Sequence, residues 1–274
     1  MTAGLLGDTA ARDYSAKLRQ FNQFAQPELV ALIEGLHLKP GMRILDAGCG
    51  SGEALLWLQH AVTDQGSVHG VDLAAAHVAM ARTRAPAAKV SQGDLSIVAA
   101  SGGVFDLIWC VNTIHHLRDP AAALSHLKSL LSERGRIALG QSSFLPDMHF
   151  AWDSRLERLT HEAVRQYYRD RYSLDETDLS AVRSLVGLMR RSGFDDVAAR
   201  SVVIERLSPL DVASEAYLRE TIFRDTWGER LRPYLSADDY QTLQRLCDPK
   251  DDAYALRRPD FHFMQTFSLV VGHC

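Results

Sequence analysis

Ile44-Leu45-Asp46-Ala47-Gly48-Cys49-Gly50-Ser51-Gly52-Glu53 is an apolar strand that runs into a carboxylate and three glycines spaced two apart. Glycines at a strand-to-helix turn permit positive φ and let a ligand reach bare main chain, and the following helix presents unpaired N–H groups at its start. Such a turn builds a pocket of nucleotide size. Its spacing selects among nucleotide ligands. A dinucleotide site reads G-x-G-x-x-G, with the third glycine allowing close packing beneath a pyrophosphate. Here the order is Gly48-x-Gly50-x-Gly52, and Asp46 adds a negative charge that a pyrophosphate would disfavour.

Working outward, Ser67-Val68-His69-Gly70-Val71-Asp72-Leu73 reads as a second strand ending in a carboxylate 20 residues after Gly52. An acid at that distance can accept both hydroxyls of a ribose. Asp72 can also cap a helix starting near Ala74, and the two roles are compatible. Residues 104–117, Val-Phe-Asp-Leu-Ile-Trp-Cys-Val-Asn-Thr-Ile-His-His-Leu, form a nearly continuous apolar run that opens into a polar loop. This is the pattern of a central parallel strand covered on both faces, with a ligand site at its carboxyl end. Residues 135–140 read as a fifth strand, preceded by a helix that Pro120 starts and the apolar stripe of residues 121–131 sustains.

Glycine spacing, Asp46, Asp72 and the order of these strands resemble the class I S-adenosylmethionine-dependent methyltransferases, most closely over residues 28–141. The resemblance implies an α/β, Rossmann-like, doubly wound fold: a mostly parallel seven-stranded sheet with an antiparallel last strand, here with a helical lid. S-adenosyl-L-methionine is the implied cofactor, its ammonium and sulfonium suited to the nearby carboxylates. In Val90-Ser91-Gln92-Gly93-Asp94-Leu95 the resemblance sets Asp94 against the adenine amine and the Leu95 amide against the ring. The implied cofactor-binding set is Asp46, Gly48, Cys49, Gly50, Gly52, Asp72, Leu73, Gly93, Asp94, Leu95, Val111 and Asn112. The His115-His116-Leu117 loop looks like that of the ubiquinone and menaquinone biosynthesis methyltransferases. In the phosphoethanolamine methyltransferases the resemblance puts a catalytic His at His116, paired with an N-terminal Tyr that Tyr14 loosely matches.

Composition bounds the partners. A chain of 274 residues holds one large α/β domain, and a net charge of −4 without a Lys/Arg tract argues against nucleic acid, which is bound through a basic surface. Residues 165–171, Arg-Gln-Tyr-Tyr-Arg-Asp-Arg, interleave basic and aromatic side chains but read as an outer helix face with Tyr167 turned inward. The Asn112-Thr113-Ile114-His115 loop lacks the Asn/Asp-Pro-Pro-aromatic motif of methyltransferases that act on nucleic-acid bases or glutamine. Residues 1–13 have no basic start or apolar stretch of a signal peptide, and no run is long enough to span a bilayer. A cytoplasmic setting is expected. Cys49, Cys110, Cys247 and Cys274 are expected as free thiols, and neither they nor the eleven histidines show metal-ligand spacing.

Specificity must come from additions to the core. Residues 144–178 are rich in aromatics, Phe150, Trp152, Tyr167, Tyr168 and Tyr172, with Trp152, Leu156, Leu159, Ala163 and Tyr167 at helical spacing. Residues 209–259, containing Tyr217, Phe223, Trp227 and Tyr234, separate a sixth strand (197–207) from the last (261–271). Both are too long for connections and too apolar for linkers, so a lid is the economical account. The expected division is an N-terminal helical cover (1–27), a cofactor core (28–141), lid insertions (142–180 and 208–260) and completion of the sheet (181–207 and 261–274), within a single domain over 1–274.

The expected chemistry is methyl transfer to a small apolar or aromatic acceptor, foremost on oxygen, where a base must remove a proton. His116, His115 and Tyr14 are the catalytic candidates. Either histidine can instead cap a helix or bond a carbonyl. N- or C-methylation, cofactor binding without methyl transfer (as in cyclase- or decarboxylase-like relatives), a non-catalytic partner and a dinucleotide oxidoreductase are the alternatives. No metal is expected, and a homodimer is compatible with the chain.

Overall fold

The computed structural model describes residues 15–98, 104–117, 119–143, 149–150, 153–172 and 181–274, with only the backbone course at 149, 150, 172 and 181–183. Tyr14, Phe144 and Trp152 lie outside the described residues. The strands in chain order are Arg43–Ala47 (β1), Ser67–Asp72 (β2), Lys89–Gln92 (β3), Phe105–Val111 (β4), Leu131–Ser142 (β5), His149–Phe150 (β6), Asp195–Leu207 (β7) and His262–His273 (β8). The α-helices are Ser15–Glu34 (α1), Glu53–Val62 (α2), Ala75–Arg84 (α3), Pro120–Ser129 (α4), Ser154–Tyr172 (α5), Ala181–Arg191 (α6), Val212–Ala216 (α7) and Ala237–Cys247 (α8).

Strand pleat explains the two cores. Ile44 of β1 enters one and Leu45 and Ala47 the other, so β1 must be covered on both faces. It lies in parallel between β2 and β4. The sheet runs β3-β2-β1-β4-β5-β8, with β7 paired to the far side of β8 and β8 antiparallel to both its neighbours. This is the seven-stranded, mostly parallel sheet expected. The two-residue β6 pairs with Phe263 and Met264 of β8, in line with the end of β5. β5 starts earlier than the sequence suggests, because Phe105 pairs with Leu131 before a register shift brings Leu107 opposite Arg136.

α4 begins as expected, with Pro120 in the first turn and the Asp119 carboxylate accepting the Ala122 N–H at 2.9 Å. With α6 it covers one face through Leu124, Leu127, Leu185 and Met189. The other face carries α1, α2 and α3. There the residues after the fifth strand and those before the last meet: Ala163, Val164 and Tyr168 of α5, and Tyr217, Phe223 and Trp227 of the π-helical segment Tyr217–Trp227, join Phe21 and Phe24 of α1 in one cluster. Tyr168, not Tyr167, is the buried member of its pair. Leu156, Thr160, Val164 and Tyr168 lie four residues apart down the inner face, and Tyr167 sits at its margin against Tyr234.

α1 runs unbroken through Pro27, so the expected division at 27/28 falls inside one helix. Phe24 stacks on Tyr217 with ring centroids 4.2 Å apart, and the Arg206 guanidinium lies over the Phe24 ring, 4.8 Å from its centroid, while pairing with Glu28 at 2.7 Å. Phe24→Ala should therefore lower unfolding free energy by about 3–5 kcal/mol, the cost of a deleted core aromatic. Leu56→Ala, at an exposed position of α2, should change it by less than about 0.5 kcal/mol. Denaturant titration of both variants checks this; equal effects would place Phe24 outside the core.

Candidate cofactor and active site

Gly48, Gly50 and Gly52 have φ of +86°, +50° and +89°, all in the region that side chains rarely enter. The turn they form is tied to the end of β2: Gly48 and Cys49 N–H donate to the Val71 carbonyl at 2.8 and 3.0 Å, and Gly50 N–H donates to Asp72 Oδ2 at 2.9 Å. Gly93 N–H reaches the Asp72 carbonyl at 3.0 Å. Five of the residues expected at a cofactor, Gly48, Cys49, Gly50, Asp72 and Gly93, thus meet at one point on the carboxyl edge of the sheet. At Gly52 any β-carbon would lie 2.8 Å from Ala81 Cα, so this glycine also lets α3 pack against the turn.

Asp46, just before the turn, is 2 % exposed, and among the described residues its Oδ2 has no hydrogen-bond partner. Burial, reinforced by Asp72 and Glu53, holds its carboxyl well above the usual range. Such a group is poised for a cation. Burial also pushes up the Cys49 thiol beside Asp46 and Asp72, so it is an inert wall of the turn, and all four cysteines are unpaired. Asp72 behaves oppositely: although burial opposes ionisation, hydrogen bonds from His77, Ala74 N–H and Gly50 N–H hold its carboxyl below the ordinary value. Of its two expected roles the helix-side one is visible, since Asp72 accepts the Ala74 N–H at the start of α3.

The adenine residues are placed less directly. Asp94 accepts from Ser96 N–H at 2.9 Å in its own loop, Leu95 is buried in the core under α4, and Leu73 is 50 % exposed. No described side-chain bond links Asp94 to the glycine turn.

At the end of β4, Asn112 takes a strained φ of +50°, and its Oδ1 accepts from Ser142 N–H at 2.9 Å, joining the ends of β4 and β5 beside Val111. Ile114–His116 is a single 3-10 turn. His115 is 6 % exposed, and its Nδ1 meets Gln141 Oε1 at 2.6 Å, which requires the proton on Nδ1. Burial, with His116 adding to it, holds this imidazole neutral well below its ordinary titration range. The half-buried His116 ring lies 3.9 Å away, tilted by 42°. Among the described residues no His/Cys/Asp/Glu group could hold a metal.

Three residues of the site were not assigned from sequence. Glu53 accepts from Ser51 Oγ at 2.7 Å and Asn22 Nδ2 at 3.1 Å and pairs with Arg84 at 2.7 Å, binding turn, α1 and α3 together. Arg84 also donates to the Ser51 carbonyl, and His77 to Asp72. His77, Ala81 and Arg84 lie four and three residues apart, one helix face. That spacing was available in the sequence; its target was not.

The residues fit S-adenosylmethionine. Asp46 offers a buried carboxylate oxygen with no partner among the described residues, suited to a positive charge, the three left-handed glycines leave main chain bare, and an acid ends β2. Comparison with known proteins agrees. A family model described as a methyltransferase domain matches residues 15–199. The malonyl-[acyl-carrier protein] O-methyltransferase of Enterobacter lignolyticus is 27 % identical over 71 % of this chain and 83 % of its own length. The ubiquinone biosynthesis O-methyltransferase of Xanthomonas campestris is 32 % identical over 39 % of this chain and 46 % of its length. An uncharacterised 37.1 kDa transposon protein of Streptomyces fradiae is 34 % identical, but the match spans only 34 % of that protein. In fold, the YcgJ protein of Bacillus subtilis has a TM-score of 0.54 at 17 % identity, over 90 % of this chain and 98 % of its own. A phosphoethanolamine N-methyltransferase of Haemonchus contortus reaches 0.56 at 17 %, over 99 % of this chain and 60 % of its own.

Asp46 gives a test. Because its folded pKa is raised, the native state binds more protons than the unfolded chain once pH passes the ordinary carboxylate range, and stability falls as pH rises there. Asp46→Asn should melt above the wild type near neutral pH, the gap closing as pH falls below about 4, where the unfolded chain's Asp46 becomes protonated as well. Affinity for S-adenosylmethionine should fall in the same variant. Melting curves across pH and a calorimetric titration check both; a less stable variant at neutral pH would mean the carboxylate is already compensated.

Proposed function

Because the chain belongs to the methyltransferase domain family, whose members depend on S-adenosylmethionine, we propose that it transfers a methyl group to an oxygen of a small apolar or aromatic metabolite. S-adenosylmethionine brings a methyl already activated on a sulfonium. What this chain must add is grip, alignment, exclusion of water and a proton acceptor.

The grip is assigned to the glycine turn, to Asp72 at the ribose, to Asp46 on the cationic side, and to Asp94 with the Leu95 amide at adenine. Alignment and exclusion of water are assigned to the helices that share a core with α1, in the two insertions at 142–180 and 208–260. Their inner surface is aromatic, as suits an apolar acceptor: Tyr168, Tyr217, Phe223 and Trp227 are buried there.

The observation that carries the oxygen reading is the His115–His116 pair at the carboxyl end of β4. A neutral amine can attack the sulfonium methyl without help from a base, but a hydroxyl must lose its proton. Gln141 holds His115 as the neutral Nδ1–H tautomer, so the adjacent His116 takes up a proton without a second cation beside it. His116 is the base in this reading and His115 its support. Tyr14 belongs to the same proposal as the pairing partner of His116. The names of three relatives point the same way: malonyl-[acyl-carrier protein] and ubiquinone biosynthesis O-methyltransferases, and a 27-O-demethylrifamycin SV methyltransferase that is 29 % identical over 40 % of this chain. The net charge of −4 supports a small molecule over nucleic acid. No helix is long and apolar enough to cross a membrane among the described residues.

Incubation with methyl-labelled S-adenosylmethionine and a panel of phenolic, enolic and carboxylic acceptors tests the reaction. Labelled ether or ester product is expected, and product lacking the label would overturn methyl transfer. In the same assay His116→Ala should lower kcat by about a hundredfold or more while cofactor affinity stays within about twofold. Normal turnover in that variant would remove His116 from the chemistry.

A further inference from the structure

A carboxylate offers about four lone-pair positions, and three of those on Asp72 are taken. Gly50 N–H donates to Oδ2 at 2.9 Å, Ala74 N–H to Oδ1 at 2.9 Å, and His77 Nδ1 to Oδ1 at 3.2 Å. A ribose presenting two hydroxyls to this residue needs two positions. Among the described residues one is left, on Oδ2. The two backbone donors cannot withdraw, since one is fixed by the left-handed turn and the other by the start of α3. The imidazole can, by rotation of its side chain.

We propose that His77 and the ribose of the cofactor compete for the same oxygen of Asp72, so that His77 sets how tightly the cofactor is held and makes that grip depend on pH. The proposal rests on the reading of Asp72 as the ribose ligand. His77 sits in the first half of α3 and is 4 % exposed, so its alternative to Asp72 is not bulk water and the competition has a real cost. Its Nδ1 must carry a proton, because an ionised carboxylate only accepts. A second proton on the ring makes the pair a charge-assisted bond and strengthens the ligand-free arrangement. Ribose displaces the imidazole and releases that proton, so affinity rises with pH.

Among the described residues, the charged and titratable groups around the pair include Asp46 and the Cys49 thiol along the glycine turn, and the Glu53–Arg84 ion pair between α2 and α3. Of these, Asp46 can also exchange a proton when a cationic ligand binds. The test must separate the two.

S-adenosylhomocysteine is the probe, titrated calorimetrically into the full chain from about pH 5.5 to about pH 8, the span over which imidazoles exchange protons. In the wild type, affinity should rise about tenfold across that span, the scale of one charge-assisted hydrogen bond. His77→Phe should bind with a much flatter pH dependence and more tightly than wild type at the acidic end. An unchanged pH slope in His77→Phe would assign the proton to Asp46 and overturn the proposal, as would weaker binding at every pH, which would make the imidazole a support. The wild type alone also decides: titration in two buffers of different ionisation heat counts protons, and none released at the acidic end overturns the competition even if the variant does not fold. Asp72→Asn separates the premise from the proposal. Wild-type affinity in Asp72→Asn would remove the ribose role itself, whereas weakened binding there with no effect of His77→Phe would remove only the competition.

Discussion

The left-handed glycine turn after β1 is the constraint from which the site follows. A chain leaving a buried parallel strand must reverse into a helix within a few residues, and here it does so through three positions at positive φ. The tie to the end of β2 helps hold those positions in place, through the Val71 carbonyl and the Asp72 carboxylate. That tie brings three carboxylates, Asp46, Asp72 and Glu53, within electrostatic reach of one another. They are then handled in three different ways. Glu53 is neutralised by Arg84, Asp72 is solvated by main-chain N–H groups and His77, and among the described residues Asp46 Oδ2 receives no hydrogen bond. The pattern of compensation, more than the number of acids, gives the pocket its electrostatic character.

Helices not adjacent in sequence complete the turn. Leu18 of α1 lies close enough to Gly50 that a β-carbon there would come within 3.1 Å of its Cδ1, and Asn22 bonds to Glu53. The same helix sends Gln20 to Thr221 at 2.8 Å and Phe24 onto Tyr217. One face of α1 therefore touches the glycine turn while its neighbour touches the π-helical segment. Cofactor site and inserted helices share a wall, and a change at either surface is felt through a single rigid element.

Much of this could be read from the chain alone, and the reason differs by element. The central strands and the glycine turn are written in local patterns: continuous apolar runs, a glycine spacing, Pro120 after Asp119. The sixth and last strands were placed within two residues of their observed bounds for the same reason. Glu53, His77 and Arg84 escaped because their meaning lies in partners 31 residues away or in a helix face whose orientation is set by tertiary packing. Tyr167 and Tyr168 were exchanged because adjacent positions on a helix differ by only about 100° and the stripe that decides between them is fixed by Leu156, Thr160 and Val164. Asp94 was given a ligand by resemblance, while its nearest donors are the hydroxyl and the main-chain N–H of Ser96, two residues on.

Asp46 carries a consequence outside chemistry. A chain that buries an unmatched carboxylate keeps a weak point in its empty form, and whatever supplies the missing positive charge also supplies part of the fold's cohesion. In a cell the empty form would be the one that quality-control proteases sample, and the amount of this protein would follow the supply of its metabolite ligand. Abundance, and not only rate, would then report on methyl-donor status.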